Sequence, residues 1–453
     1  MGRITLQQAA AWCGGKIESK YADVTFLGAG NDTRTLAEGQ LFVALQGVRD
    51  GHDFIPDALK KGAAAVLCSR CGGDYPAIVV EDTRLALGMI AKQERQRIGM
   101  KVVGITGSVG KSTTKEMVAT VLQGTYRVAK TPVNHNNDIC MPMAILAMSE
   151  DTQVAVLEMG MNHFREIAYL TDIAKPDVGV IINIGTMHIE HLGSMEGILQ
   201  AKLEILEGMD ENGKLILNGD DTLLWSHHFG SNLCPVYFGA ENAQCQVLGE
   251  NVEETEVGTS FSVKYGNKRF SVSLPVEGRH YVSDALAAVS VGVVMGVDEK
   301  DICERLAAFE TMEGRQEIYK AGDYTIIRDC YNAGPESMAA SLTVLGNKTG
   351  RKIAVLGDML ELGVRTQAEH YKVGRIVAEK ADLLFAYGPN SKRVLNGALT
   401  GGMAGNRARA FTDRDKLVEV LKKTAKPGDT LLFKGSRGMR MEQILEEFLQ
   451  EEK

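Results

Sequence analysis

At 453 residues the chain is longer than one hydrophobic core usually serves, which predicts roughly two to four domains. Its 44% apolar and 24% charged residues are those of an ordinary globular protein. The formal charge of −8 favours solubility and lends no support to a nucleic-acid-binding surface, although a local basic pocket for phosphates remains compatible with it. No uninterrupted apolar stretch approaches the ~18 residues of a membrane span. The start, MGRITLQQAAAWCGG, lacks the basic-then-apolar order of a secretory leader and reads as a helix. The eight Cys are widely spread, and Cys68 and Cys71 form the only CxxC, with no second pair for zinc. Structural or incidental thiols in a reducing, cytoplasmic compartment are expected.

Along the chain, Gln40–Leu45 and Ala64–Leu67 are strand-like, with a helix over Asp57–Lys61 between them. A strand over Ala77–Val80 leads into a helix through Leu85 and Ile90, which the charges of Lys92–Arg97 are expected to end. At Lys101 the character changes: KVVGITG is a compact apolar strand and KSTTKEMVATVLQ an amphipathic helix. Strands over Val154–Leu157, Val178–Ile182 and Lys214–Leu217, with helices between, predict a parallel sheet covered on both faces. From about Tyr237 to Leu274 the alternating pattern reads as antiparallel strands at the sheet edge or on one side of the domain, and Val282–Val294 returns as a core helix. After a boundary near Thr311–Arg315, YTIIRDCYNAG, KIAVLGDM, LLFAYG and TLLFKGS predict another parallel α/β domain.

The strongest local signal is GITGSVGKS, Gly104–Ser112, which resembles the phosphate-loop pattern GxxxxGKS with Gly104 standing one position ahead of the pattern's first glycine. A loop of small residues (Gly107 and Gly110) can aim amides at phosphate oxygens, and the next helix adds donors, Thr113 among them. Lys111 can reach the terminal phosphates, and the Ser112 hydroxyl can ligate Mg²⁺. The alternative is a turn required only for packing. Glu158 ends VAVLEMG and His188 follows VGVIINIG, so both should emerge at the carboxyl edge of the sheet, where they can hold a divalent metal against a triphosphate. Singly, Glu158 also fits a solvated turn and His188 a satisfied loop histidine. Asn134–Asn137 form a polar cluster after RVAK, suited either to orienting phosphates and amides or to backbone capping.

These motifs, in the order GITGSVGKSTTKEM, TPVNHNNDICMP, LEMGMNHFREI, NIGTMHIEHLGSMEGILQAKLEI, GRHYVSDALAA and LLFKGSRGMRME, resemble the ATP-dependent Mur ligases of peptidoglycan synthesis over nearly the whole chain. The resemblance implies an α/β fold of three domains: a uridine-nucleotide-binding domain (1–97), a central phosphate-loop ATPase domain with a parallel sheet (98–312), and a C-terminal Rossmann-like α/β domain (313–453). It implies that Glu158 and His188 bind Mg²⁺. Lys202, which alone reads as a surface helix lysine, is implied to carry an N-carbamate derived from CO₂. That change would replace a cation near the metal and Lys111 with an anion able to ligate a second metal. Asn136 and Asn137 are implied to lie near the ATP phosphates and the reacting carboxylate.

Within the family, DTRTLAEGQLFVALQGVRDGHDFIPDAL resembles the uridine-binding module, with Thr33 and Arg34 near the uridine diphosphate. The Arg34 fork suits a diphosphate, although the residue can equally be solvated. RDCYNAGPESMAASL and KIAVLGDMLELG resemble the D-alanyl-D-alanine-adding members, and a DNPR-type motif is absent. That likeness implies nucleotide or dipeptide contacts from Asp329, Tyr331 and Asn332, and a linker Arg315 that touches nucleotide. Asp358 and Glu361 fall in the second signature, the alternative being a pair of loops that only hold the domain together, while Lys434, Ser436 and Arg437 lie in the KGSR loop, which reads as a strand-ending turn offering positive charge toward substrate. The implied reaction joins D-alanyl-D-alanine to UDP-N-acetylmuramoyl-tripeptide through an acyl phosphate, in a monomer using ATP and Mg²⁺. The alternatives are a diverged ligase for another peptide or amine, and a nucleotide-gated binding protein without ligase activity. Four departures bear on these alternatives. Val133 and Cys140 replace two family Gly, Arg165 replaces another, and Gly334 stands within the usual YNANP. His280-Tyr281-Val282-Ser283-Asp284 replaces HNxxN, which leaves Asp284 at the position expected to orient adenine.

Overall fold

The computed structural model describes residues 4–230, 233–255 and 258–450. Near the N-terminus, Ala29–Gly30, Leu41–Val43, Ala65–Cys68 and Ala77–Val79 form a parallel four-stranded sheet in that order. The helix after it ends one residue beyond the charged stretch Lys92–Arg97 that was expected to close it. Thr83–Ile98 runs through Lys92–Arg97 because those side chains find partners: Lys92 on Asp172, Arg97 on Glu94 and Glu150. It ends where Gly99 turns left-handed at φ 71°, a conformation that costs glycine little.

The largest sheet has nine strands, ordered Lys268–Leu274, Gly258–Tyr265, Val247–Thr255, Val236–Gly239, Lys214–Asn218, Val178–Ile181, Lys101–Thr106, Val154–Glu158 and Val128–Lys130. The last seven run parallel, and the middle ones are buried on both faces, which explains their continuous apolar runs. Val236–Gly239 pairs in parallel with both neighbours, so the antiparallel region begins only at Val247, later than the hydrophilic alternation suggested. The chain places Val154–Glu158 on one side of Lys101–Thr106 and Val178–Ile181 on the other. The reversal opens a crevice at the carboxyl ends of these strands.

The third layer is a six-stranded sheet: Glu317–Ala321, Tyr324–Asp329, Thr430–Lys434, Lys352–Gly357, Leu383–Tyr387 and Ala408–Phe411. All pairings are parallel except the first, an edge hairpin that the sequence reading did not include. Its strands end in Asp329 and Lys434 at the same edge, facing the crevice of the nine-stranded sheet. Lys348 with Glu277, and the Gln316 amide on the Glu277 carbonyl, join the two layers.

Arg165, where the family resemblance led to glycine, keeps a left-handed backbone at φ 73°. Its amide donates to Glu204 Oε1 at 2.7 Å, and its guanidinium donates to both Glu207 oxygens at 2.6 and 2.8 Å. These contacts offset the steric cost of the conformation. Arg165→Val, β-branched at positive φ, is expected to be less stable than Arg165→Gly by about 1–2 kcal/mol in urea denaturation. Equal midpoints would show that the site does not hold its residue left-handed.

Candidate active site

The strand Lys101–Thr106 delivers the chain into the phosphate loop, and Gly110 at φ 84° starts the helix Lys111–Leu122. A side chain at Gly110 would meet Asp284 Oδ1 at 2.7 Å, so glycine is required both by conformation and by space. The Asn183 carboxamide shapes the loop from the neighbouring strand end. Its oxygen accepts from the Ser108 and Val109 amides, both at 3.0 Å, and its nitrogen donates to the Val109 carbonyl at 3.0 Å. Lys111 folds over the loop and donates to the carbonyls of Gly107 (2.8 Å) and Ser108 (3.2 Å). Burial pushes its pKa down, Glu158 opposes that shift, and Arg315 adds to it.

Three of the predicted groups meet at Glu158, the last residue of a fully buried strand. Ser112 Oγ donates to one carboxylate oxygen at 2.7 Å and Asn136 Nδ2 to the other at 2.9 Å. Arg315, stacked 3.9 Å over the Tyr331 ring, donates to Ser112 Oγ at 2.9 Å, so the linker touches the phosphate loop directly. Asn137 acts differently from its neighbour. It lines the cleft, but its oxygen accepts from the amides of Ile139 and Cys140 at the start of the helix Cys140–Leu146.

His188 is left-handed at φ 63° and lines the same cleft. Its Nδ1 lies 3.2 Å from Glu361 Oε2, an ion-pair approach without hydrogen-bond geometry. Burial, with Lys111 and Lys202 nearby, pushes its pKa down to about 4, leaving a neutral ring able to accept a metal. Lys202 is not a surface lysine: it is 2% exposed on the helix Met195–Leu203. Burial and Lys111 lower its pKa well below the usual lysine value. Among the described residues no three His, Cys, Asp or Glu side chains gather as a metal centre. A divalent ion therefore fits here with Ser112, Glu158 and His188 only if the remaining charge comes from substrate phosphates or an altered Lys202.

The remaining predicted residues divide between the cleft and its supports. Thr113, Asp284, Asp329, Tyr331, Asn332 and Lys434 line the cleft, whose volume is about 680 Å³. Within it Lys434 pairs with Asp329, which also accepts from Ser341 Oγ at 2.6 Å. Thr33, Arg34, Asp358, Ser436 and Arg437 do not line it. Arg34 is exposed and forked onto Asp32. Asp358 is buried and accepts from the Asn390 amide and side chain, while Ser436 donates to the Ala333 carbonyl at 3.2 Å. Arg437 is exposed, 3.5 Å from Glu442. The sequence reading missed Asn183 and Glu336 as lining residues. Asn183 carried one usable signal, an amide just beyond an apolar strand end.

Asp284 donates nothing to the loop: it accepts from Thr114 Oγ1 at 2.7 Å beneath Gly110. Burial raises its pKa to about 7, with the Thr114 hydrogen bond and Arg315 opposing. The folded state thus binds a proton more readily than the unfolded chain, and this group's stabilisation, full below about pH 4, is lost as pH rises through about 7. Asp284→Asn keeps the acceptor for Thr114 and removes that loss. The variant is expected to gain stability over the parent at pH 8 by up to about 4 kcal/mol, and little at pH 4. A pH-independent difference in thermal denaturation would refute the assignment.

The chain matches three family descriptions: "Mur ligase family, catalytic domain" over residues 24–95, "Mur ligase middle domain" over 105–292, and "Mur ligase, glutamate ligase domain" over 314–437. It is 39% identical to the UDP-N-acetylmuramoyl-tripeptide--D-alanyl-D-alanine ligase of Bacillus subtilis (strain 168), with 95% of each chain covered. It superposes on the crystal structure of MurF from Acinetobacter baumannii with a TM-score of 0.90 at 30% identity, covering 100% of both chains. MurF from Thermotoga maritima, solved in complex with ADP, gives 0.82 at 30% identity, with 93% of this chain and 97% of that one covered. With the phosphate loop, the Glu158 cluster and the linker Arg315 in one cleft, and a near full-length relative of this similarity, the chain belongs to the Mur ligase family.

Proposed function

We propose that this enzyme joins D-alanyl-D-alanine to UDP-N-acetylmuramoyl-tripeptide with cleavage of ATP to ADP and phosphate. The observation that carries the reading is the convergence of Ser112, Asn136 and Arg315 on and around Glu158, beside the phosphate loop. The ligase activity named for the Bacillus subtilis relative supports the choice of substrates. The three units 1–97, 98–312 and 313–453 would then contribute uridine-nucleotide binding, ATP binding and dipeptide binding.

The tripeptide carboxylate attacks the γ-phosphorus and releases ADP, and the dipeptide amine then displaces phosphate from the acyl carbon. Loop amides and Lys111 hold the phosphates, Lys111 exchanging the carbonyls of Gly107 and Ser108 for phosphate oxygens. Mg²⁺, held by Ser112, Glu158 and His188, would supply Lewis-acid stabilisation of phosphate charge. Arg315 couples arrival of the nucleotide to the linker through Ser112. Contacts from the C-terminal layer, Glu336 to Thr186 and Glu361 to His188, help exclude water that would hydrolyse an acyl phosphate.

Lys202 is the candidate for carbamylation. Burial favours its neutral amine, whose lone pair can bond to CO₂ with loss of a proton, and the resulting anion would complete the metal-binding set. On this reading Lys202→Ala loses ligation by two orders of magnitude or about that, and a short carboxylic acid added to the assay restores part of it. A fully active Lys202→Ala without added acid would remove the role. Lys111→Ala is expected to lower kcat by about 100-fold or more while the protein stays folded. The reading as a whole is tested by coupled release of ADP and phosphate with amide product seen by mass spectrometry. ATP turnover without amide from these substrates would overturn it.

A further inference from the structure

The cleft holds seven acidic side chains: Asp138, Glu158, Glu166, Asp284, Asp329, Glu336 and Glu361. Five are engaged: Asp138 by Arg84, Glu158 by Ser112 with Asn136, Glu166 by the Asn162 amide, Asp284 by Thr114, and Asp329 by Lys434 with Ser341, while Glu361 is largely exposed and approaches His188 without a hydrogen bond. Glu336 is half engaged. Its Oε1 accepts from the Thr186 amide at 3.0 Å and the Thr186 hydroxyl at 3.1 Å, which fixes the carboxylate plane. Its Oε2 is buried and has no hydrogen-bond partner among the described residues. Leaving such an oxygen unpaired is costly, so a donor is expected to meet it in the working complex.

The position of this oxygen fits an amine. Gly185 separates Glu336 from the phosphate loop. A side chain there would meet Glu336 Oε1 at 3.1 Å and Ser108 Cβ at 3.1 Å, and Gly185 is itself hydrogen-bonded to Ser108 Oγ. The carboxylate is therefore one glycine away from the loop that presents the reacting phosphate. Lys111, Arg315 and Lys434 line the cleft and suit anionic substrate groups, with Arg84 committed to Asp138, whereas Glu336 offers a buried negative oxygen that no donor among the described residues meets. We infer that Glu336 binds the α-ammonium of the incoming dipeptide through Oε2 and takes one proton from it. The freed nitrogen lone pair then bonds to the acyl carbon, and the carbon–oxygen bond to phosphate breaks with its electron pair leaving on phosphate. The remaining surplus N–H proton departs to the released phosphate. This assignment rests on the ligase reading above and names the residue that specifies an amine as second substrate.

Glu336→Gln keeps an acceptor for Thr186 and removes the charge. Its KM for D-alanyl-D-alanine is expected to rise by about 10- to 100-fold, with KM for ATP changed less than about twofold. Hydroxylamine, a small neutral nucleophile, should still give hydroxamate from the acyl phosphate at near the parent rate. In the parent enzyme propionyl-D-alanine, which lacks only the amine, should bind about tenfold or more weakly than the dipeptide, independently of how the variant folds. An unchanged dipeptide KM in Glu336→Gln, equal loss of amide and hydroxamate, or parent binding of propionyl-D-alanine as tight as of the dipeptide would each overturn the assignment. If the parent forms amide while any of these holds, the ligase reading stands and only the role of Glu336 falls. If the parent forms no amide, both fall.

Discussion

The hydrogen bond from Ser112 to Glu158 is the contact on which the site depends. It ties the first turn after the phosphate loop to the end of the adjacent strand, 2.7 Å across two elements 46 residues apart in sequence. Asn136 takes the other oxygen of the same carboxylate, and Arg315 takes the far side of the same hydroxyl. One buried acid thus orders a loop, a strand end, an amide cluster and the linker to the next domain. A buried carboxylate left unpaired would be strongly destabilising, so the surrounding donors and the site's geometry enforce each other.

Positive charge is the opposing constraint. Lys111 and Lys202 are both buried and hold their protons less readily for it, Lys111 adding to the effect at Lys202, while His188 beside them is driven neutral. Such a cluster is stabilised when anions enter it, by nucleotide phosphate at one end and by conversion of a lysine into an anion at the other. The low pKa of Lys202 is therefore a property of the resting fold that favours the chemistry proposed for it.

The departures from the family pattern are absorbed locally. Arg165 holds a backbone usually left to glycine by spending its side chain on Glu207 and its amide on Glu204. Asp284 stands under Gly110 with its carboxyl bound by Thr114, so its immediate effect is on the phosphate loop. Asn137 caps a helix while Asn136 grips the acid, a division that two adjacent identical residues do not reveal in sequence.

Apolar runs ending in a single polar residue were readable without coordinates, because a strand buried on both faces tolerates such a residue only at its end. Glu158 and Lys434 were found that way, Asp329 by the family resemblance, and the phosphate loop by its glycines and lysine. The sequence also carried the two α/β sheets through the alternation of strand and helix periods. It did not reveal what the charges closing the helix Thr83–Ile98 pair with, because Asp172 and Glu150 lie on distant segments. Asn183 and Glu336 depended wholly on the folded chain: they reach Ser108 and Thr186 across 75 and 150 residues. Whether a polar side chain is a solvated decoration or a buried, half-satisfied one is decided by what packs around it, and that packing exists only once distant segments meet.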